Sequence, residues 1–231
     1  MNKLFAVLLC AHVWGDFLFQ PAWMARNKHR LPVLLLHSAI HGLLAYLFVG
    51  RWTLWQLPVV AGLVHGLVDF VKVRAPEGDT ARVFAADQAA HVAFLGALAF
   101  LLHRAGIVPV IGGLYRPLVW ISGFLVTVFG AGAVVERTAA RLFEENEGLE
   151  AQLNGLKNGG RLIGRLERAL IFLFMAIGYP AGIGFLVTAK SILRFGEARE
   201  RAVAEYVLIG TLMSFSLALA ASAATFVAAK W

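Results

Sequence analysis

Imidazoles and carboxylates recur four residues apart in four otherwise apolar stretches of the chain. LCAHVWGDFLFQ carries His12, Asp16 and Gln20, and LLLHSAIHGL carries His37 and His41. AGLVHGLVDFVKV carries His65, Asp69 and, three residues on, Lys72, while FAADQAAHVAF carries Asp87 and His91. On a helix this spacing puts the members of a set on one face. Ionisable groups in bilayer-length apolar helices are costly unless they face one another, a cavity or a ligand, so the pattern reads as an intramembrane site. Imidazole nitrogen and carboxylate oxygen are ligands for zinc and other divalent metals. His12, His37, His41, His65 and His91 are therefore the candidate metal ligands. Asp16, Asp69, Asp87 and Lys72 are the candidate catalytic groups.

A divalent metal ion held there, zinc being one candidate, would serve an intramembrane hydrolase or transferase acting on a lipid-linked or amphipathic substrate, with a carboxylate positioning or deprotonating water. The same residues admit two other readings. One is a path for protons or metal ions, since histidine changes charge near neutral pH. The other is a structural hydrogen-bond network joining helices without any cofactor or catalytic role.

Composition assigns these residues to membrane helices. Hydrophobic residues are 59% of the 231 positions and charged residues 15%, with mean hydropathy +0.72; soluble domains have about 45–50% and about 25%. The net charge of +7 is spread over segments between apolar runs, which suits an anionic membrane surface rather than nucleic acid. Cys10 is the single cysteine, which excludes an intrachain disulfide and any CxxC metal motif. No nucleotide-binding loop, nucleophile elbow or base-reading module is present.

Apolar runs near the length that crosses a bilayer occupy about residues 3–20, 31–50, 54–72, 84–102, 117–135, 168–189 and 206–228. The expected fold is an all-α polytopic transmembrane bundle of about seven spans, or six if the 168–189 run, broken by GYPAGIG, is re-entrant. His12, Asp16 and Gln20 interrupt the first run, so it reads as a helix rather than a signal peptide. Residues 1–135 form the expected five-helix core with the His/Asp site, 136–167 a cytoplasmic amphipathic segment and linker, and 168–231 the carboxy-terminal membrane segments, the first kinked or re-entrant. Basic residues are more frequent on the side shared by the first, third and fifth loops, which places the amino terminus outside and the carboxyl terminus in the cytoplasm. Alternating span direction then brings all four polar sets to the cytoplasmic half of the membrane. A shared H-x-x-x-D-F at His12–Phe17 and His65–Phe70, each followed by a helix with a second polar pair, suggests a parallel repeat of two hairpins.

This constellation of four sets resembles the DUF3307 family of bacterial integral membrane proteins over about residues 5–102. The stretches GRLIGRLER from Gly160, AKSILRF from Ala189 and EYVLIGTLMSF from Glu205 resemble its longer members. The resemblance implies a helical protein of the bacterial cytoplasmic (inner) membrane and supports these positions rather than a particular chemistry. A looser similarity is to membrane-bound metal-dependent hydrolases with His/Asp sets on helices.

The carboxy-terminal half offers a second set. Arg168, Lys190 and Arg194 are placed to contact an anionic headgroup. The alternative pairs Glu205 with Arg194 or Arg201 and uses Gly210, Thr211 and Ser214 for close helix approach.

Overall fold

The computed structural model describes residues 1–75, 78–146, 158–195 and 201–231, the last three residues before position 196 by backbone only. Much of the expected linker NGLKNGG and the middle of the 136–167 segment lie outside the described residues. Two compact units emerge, Met1–Leu125 with Val227–Trp231, and Val126–Phe226.

In the first unit, α1 (Asn2–Phe17), α2 (Ala22–Asn27), α3 (Leu31–Val49), α4 (Gln56–Lys72), α5 (Ala81–Arg104) and α6 (Tyr115–Leu125) follow one another. Local chemistry explains several boundaries. Pro32 sits in the first turn of α3, where its missing N–H would have no partner anyway, and Gly50 ends that helix in the left-handed region at φ 67°, where a side chain would be strained. The Val49 carbonyl left over accepts from Val110 N at 2.9 Å. Thr80 caps α5, its hydroxyl accepting from Val83 N at 3.2 Å, which satisfies one of the free N–H groups of a helix start.

The apolar core is built around α1, whose Leu4, Val7, Leu8 and Ala11 pack with Leu44, Ala45 and Val49 of α3, Leu57 and Ala61 of α4, Leu95 and Ala99 of α5, and Val119 of α6. The outer faces of α3 and α4 expose Leu35, Leu43, Leu63 and Leu67, a lipid-facing surface. These two helices meet closely. A Cβ on Gly62 would lie 2.9 Å from the Ser38 carbonyl, and one on Gly42 would overlap the Pro58 carbonyl. Small residues at such a crossing let backbones approach.

The second unit contains α7 (Ala131–Glu145), α8 (Gly159–Ala176), α9 (Ala181–Phe195) and most of α10 (Arg201–Ala228). A π turn at Val126–Gly130 leads directly into α7. Ile171, Ile183, Phe215 and Ala218 form its core.

The protein is an all-α, multi-pass membrane-helix bundle, but among the described residues four helices, not seven, are long and apolar enough to cross: Leu31–Val49, Ala81–Arg104, Gly112–Glu145 and Arg201–Ala228. Counting apolar residues overlooked where the helices stop. Helix α1 has 16 residues and α4 has 17, so they extend only about 24–26 Å at about 1.5 Å per residue, against about 30 Å of hydrocarbon. The 168–189 run is divided between α8 and α9, with Gly178 at φ 70° between them. The repeat of two hairpins is also not displayed. Helix α3 packs most extensively on α4, across the boundary between the expected halves, because the glycines of that crossing join them.

The α3–α4 crossing yields a test. Gly62→Val should destabilise the protein by about 1–3 kcal/mol through overpacking, read as a lower unfolding midpoint in detergent. Gly96→Ala, whose new Cβ meets only Phe5 at an ordinary 3.9 Å, should not.

Candidate metal centre

The carboxy-terminal turns of α1 and α4 meet the amino-terminal halves of α3 and α5, and this brings together His12, Asp16, His37, His41, His65, Asp69, Asp87 and His91. The five imidazoles are buried, as are Asp69 and Asp87; the Asp16 side chain is 13% exposed. Three overlapping groups have ligand atoms within 4.8 Å of one another: Asp16, His37, His41 and His65; His12, His65 and His91; and Asp69, Asp87 and His91. A buried His/Asp cluster able to coordinate a metal ion therefore sits within the membrane bundle.

Distances separate two kinds of contact here. Lys28 Nζ donates to Asp69 Oδ2 at 2.7 Å, and Lys72 Nζ to Asp87 Oδ2 at 2.8 Å; both are charge-assisted hydrogen bonds of ordinary length. The imidazole–carboxylate contacts are longer. Asp16 Oδ1 is 3.3 Å from Nε2 of both His37 and His41, and Asp69 Oδ2 is 3.4 Å from Nε2 of His37 and of His65. Such separations are long for hydrogen bonds. They match the edge of a tetrahedron of ligands, about 3.3–3.4 Å for metal–ligand bonds of about 2.0–2.1 Å.

The unpartnered atoms point the same way. Among the described residues seven buried side-chain N or O atoms have no hydrogen-bond partner, and five belong to this cluster: His37 Nδ1, His41 Nε2, His65 Nε2, Asp87 Oδ1 and His91 Nε2. Buried polar atoms are rarely left so, and a cation among them would answer part of that deficit, at His41 Nε2, His65 Nε2 and His91 Nε2. His91 Nδ1 lies 2.9 Å from the Asp87 carbonyl; donating there, it fixes the tautomer whose Nε2 carries a free lone pair.

Charge favours a cation as well. The imidazoles left out of the count, three carboxylates face two lysines, an excess of one negative charge. Asp16 is the carboxylate without a lysine, and its own group supplies three imidazoles, so Asp16, His37, His41 and His65 fit a divalent ion best. Next to them a cavity of 20 Å³ is lined by His12, His41, His65 and His91 on one side and Leu8, Ala45, Phe94 and Leu95 on the other. It holds one water or ion and nothing larger.

Three participants went unrecognised in the sequence. Lys28, one of the basic residues of the first loop, is buried against Asp69; nothing in the polar stretch NKHR signals this, because only the fold returns it to α4. Gln88 lies 3.4 Å from both His12 Nε2 and Asp16 Oδ2; its position three residues before His91 places it on the same face and was a usable signal. Gly15 leaves room for His41, whose ring a Cβ at that position would overlap. Gln20, by contrast, stands with its set, its Nε2 3.2 Å from His37 Nε2 and 3.4 Å from Asp16.

Of the second set, Arg168 and Lys190 lie in the second unit. Arg168 is buried there and donates to Val128 O and Ser214 Oγ. Lys190 donates to Glu167 at 2.7 Å. The Arg194 side chain lies outside the described residues. Glu205 pairs with Arg201 at 2.8 Å on the surface.

Residues 4–108 match the model of a family described as Protein of unknown function (DUF3307). The match spans all eight cluster residues with Lys28, Lys72 and Gln88, and leaves the carboxy-terminal stretches outside it. No curated protein and no solved structure matches the chain.

The fit of the donor set is tested by metal content. Full-length protein purified in neutral detergent and exposed to zinc should retain about one ion per chain by mass spectrometry. His41→Ala and His65→Ala should each lose metal affinity by at least about tenfold, and Gly15→Ala, which displaces His41, should do the same. Wild-type protein that stays metal-free with zinc, manganese, iron, nickel and cobalt would remove the metal assignment.

Proposed function

We propose that the protein is a metal-dependent hydrolase or transferase of the bacterial cytoplasmic membrane, acting on a lipid-linked or amphipathic substrate. The observation that carries this reading is the carboxylate Asp16, without a lysine partner, grouped with three imidazoles of which two, His37 and His41, stand 3.3 Å from its Oδ1. A divalent ion held by His37, His41 and His65, beside the Asp16 carboxylate, would keep one position open and supply Lewis-acid polarisation of the scissile group.

The chain's own residues support the remaining steps. Asp16 is the most accessible acidic member, at 13% exposure, and suits the role of accepting a proton from attacking water. Gln88 and Gln20 flank that carboxylate, each 3.4 Å from one of its oxygens. Asp69 and Asp87 are held by Lys28 and Lys72, and the Asp87 carbonyl orients His91. Lys72, 21% exposed at its side chain, is placed to meet the negative charge of a phosphate or carboxylate on the substrate. An apolar groove of 660 Å³ between α3 and α4, lined among others by Leu34, Leu63, Leu67 and Phe70, suits an acyl chain. The buried surroundings strengthen every electrostatic contact at the reacting centre.

A second reading, passage of a metal ion or proton, draws on one observation: the cavity beside the histidines has room for a single ion or water. Two assays separate the readings. Zinc-loaded protein in liposomes, offered a panel of lipid phosphoesters and carboxylic esters, should release product detectable by chromatography and mass spectrometry. Chelation should abolish release, and Asp16→Asn should reduce it by about 100-fold or more. The same liposomes loaded with pH- and metal-sensitive dyes should show no gradient-dependent signal above empty vesicles. A signal without any product would replace the enzyme with a transporter.

A further inference from the structure

Arg168 presents a separate problem. It is 3% exposed, and a buried guanidinium ordinarily stands opposite a carboxylate. Among the described residues it makes no ion pair. Its Nε and Nη2 donate to the Val128 carbonyl at 3.0 and 2.9 Å, and its Nη1 to Ser214 Oγ at 3.1 Å. Val128 belongs to the π turn, where the altered hydrogen-bond register frees a carbonyl; such turns occur frequently at functional sites. A guanidinium has five N–H donors, so two remain.

The helices are shaped around this one side chain. A Cβ on Gly132 would lie 2.5 Å from Arg168 Nη2, and one on Gly164 2.9 Å from Nη1. Beside Arg168 opens a cavity of 480 Å³, lined also by Lys190, Gly210, Thr211 and Ser214. Among the described residues its charged lining is Arg161, Arg168, Lys190, Glu136 and Glu167. Arg161 pairs with Glu136 at 2.9 Å and Lys190 with Glu167 at 2.7 Å. Those four charges cancel, and Arg168 leaves the cavity with one net positive charge.

We propose that this cavity, between α7, α8, α9 and α10, binds a phosphate group through Arg168, with Lys190 and the hydroxyls of Ser214 and Thr211 beside it. Planar guanidinium donors suit phosphate oxygens, and the hydroxyls offer further donors. The site is independent of the metal centre and uses none of its residues. The phosphate group has two sources, a lipid headgroup in the surrounding membrane or a soluble anion, and the cavity's chemistry is the same for both.

The test uses the full chain in neutral detergent, with binding measured by thermophoresis. The probes are dioctanoyl phosphatidic acid, dioctanoylglycerol as its phosphate-free counterpart, and inorganic phosphate. Phosphatidic acid should bind at least about tenfold more tightly than dioctanoylglycerol. Arg168→Lys keeps the charge but loses the planar fork, and should weaken phosphate binding by about tenfold. Gly210→Leu is the second variant. A Cβ there meets nothing within 4 Å, so it fills the cavity without displacing Arg168, and it too should weaken binding by about tenfold or more. Inorganic phosphate that binds with the same dependence on both variants identifies a soluble ligand, and binding by the lipid alone identifies a headgroup. Equal affinity for phosphatidic acid and dioctanoylglycerol, or unchanged phosphate binding in a folded Gly210→Leu or Arg168→Lys protein, would overturn the site.

Discussion

A carboxylate inside an apolar bundle must be met by positive charge or by hydrogen-bond donors, and the arrangement of Met1–Leu125 follows from meeting that demand three times. Asp69 is met by Lys28 and Asp87 by Lys72, at lengths typical of strong charge-assisted bonds. Asp16 is met by imidazoles and two glutamines instead. Removing one partner of such a pair leaves an uncompensated buried charge, which costs about 3–5 kcal/mol. The ends of α1 and α4 and the starts of α3 and α5 are therefore held together by polar contacts that none of these helices satisfies alone.

Packing makes this convergence feasible. Helix α1 is too short to be a span by length, yet it occupies the middle of its unit and contributes Leu4, Val7, Leu8 and Ala11 to the core. Its last turns deliver His12, Gly15 and Asp16 to the cluster, and the missing side chain at Gly15 admits His41. Close approach of α3 to α4 at Gly42 and Gly62 sets the separation of His37 and His41 from His65 and Asp69. The ring centroids of His41 and His65 are 3.4 Å apart with the planes nearly parallel. Backbone proximity and ligand proximity are thus the same geometric fact, and small residues control both.

The second unit solves a similar problem differently. Its buried cation is met by a freed main-chain carbonyl and a serine hydroxyl rather than by a carboxylate. Neutral acceptors satisfy donors without cancelling charge, so a positive potential persists within the cavity. Among the described residues, the uncancelled charge of the His/Asp cluster is negative with its imidazoles left out of the count, and that lining the Arg168 cavity is positive.

Helical class, membrane character and the residues of the cluster were legible in the sequence, because a four-residue spacing sets side chains on one face whatever that face later meets. The same logic made Gln88 readable, three residues before His91. Span number was not legible: hydropathy records how apolar a run is, while α1, α4 and the α8–α9 break depend on where backbone hydrogen bonding stops. Nor was the order of packing, since H-x-x-x-D-F recurs at His12 and His65 although α3 joins α4 through glycines that no repeat motif reveals. Lys28 and Arg168 mark the limit most clearly. Each reads as a basic residue in or beside a polar segment, and burial against Asp69 or under the Val128 carbonyl comes only from helices distant in the chain. Local periodicity determines which groups share a face; long-range packing alone decides which faces meet, and so which charges remain to be answered by a ligand.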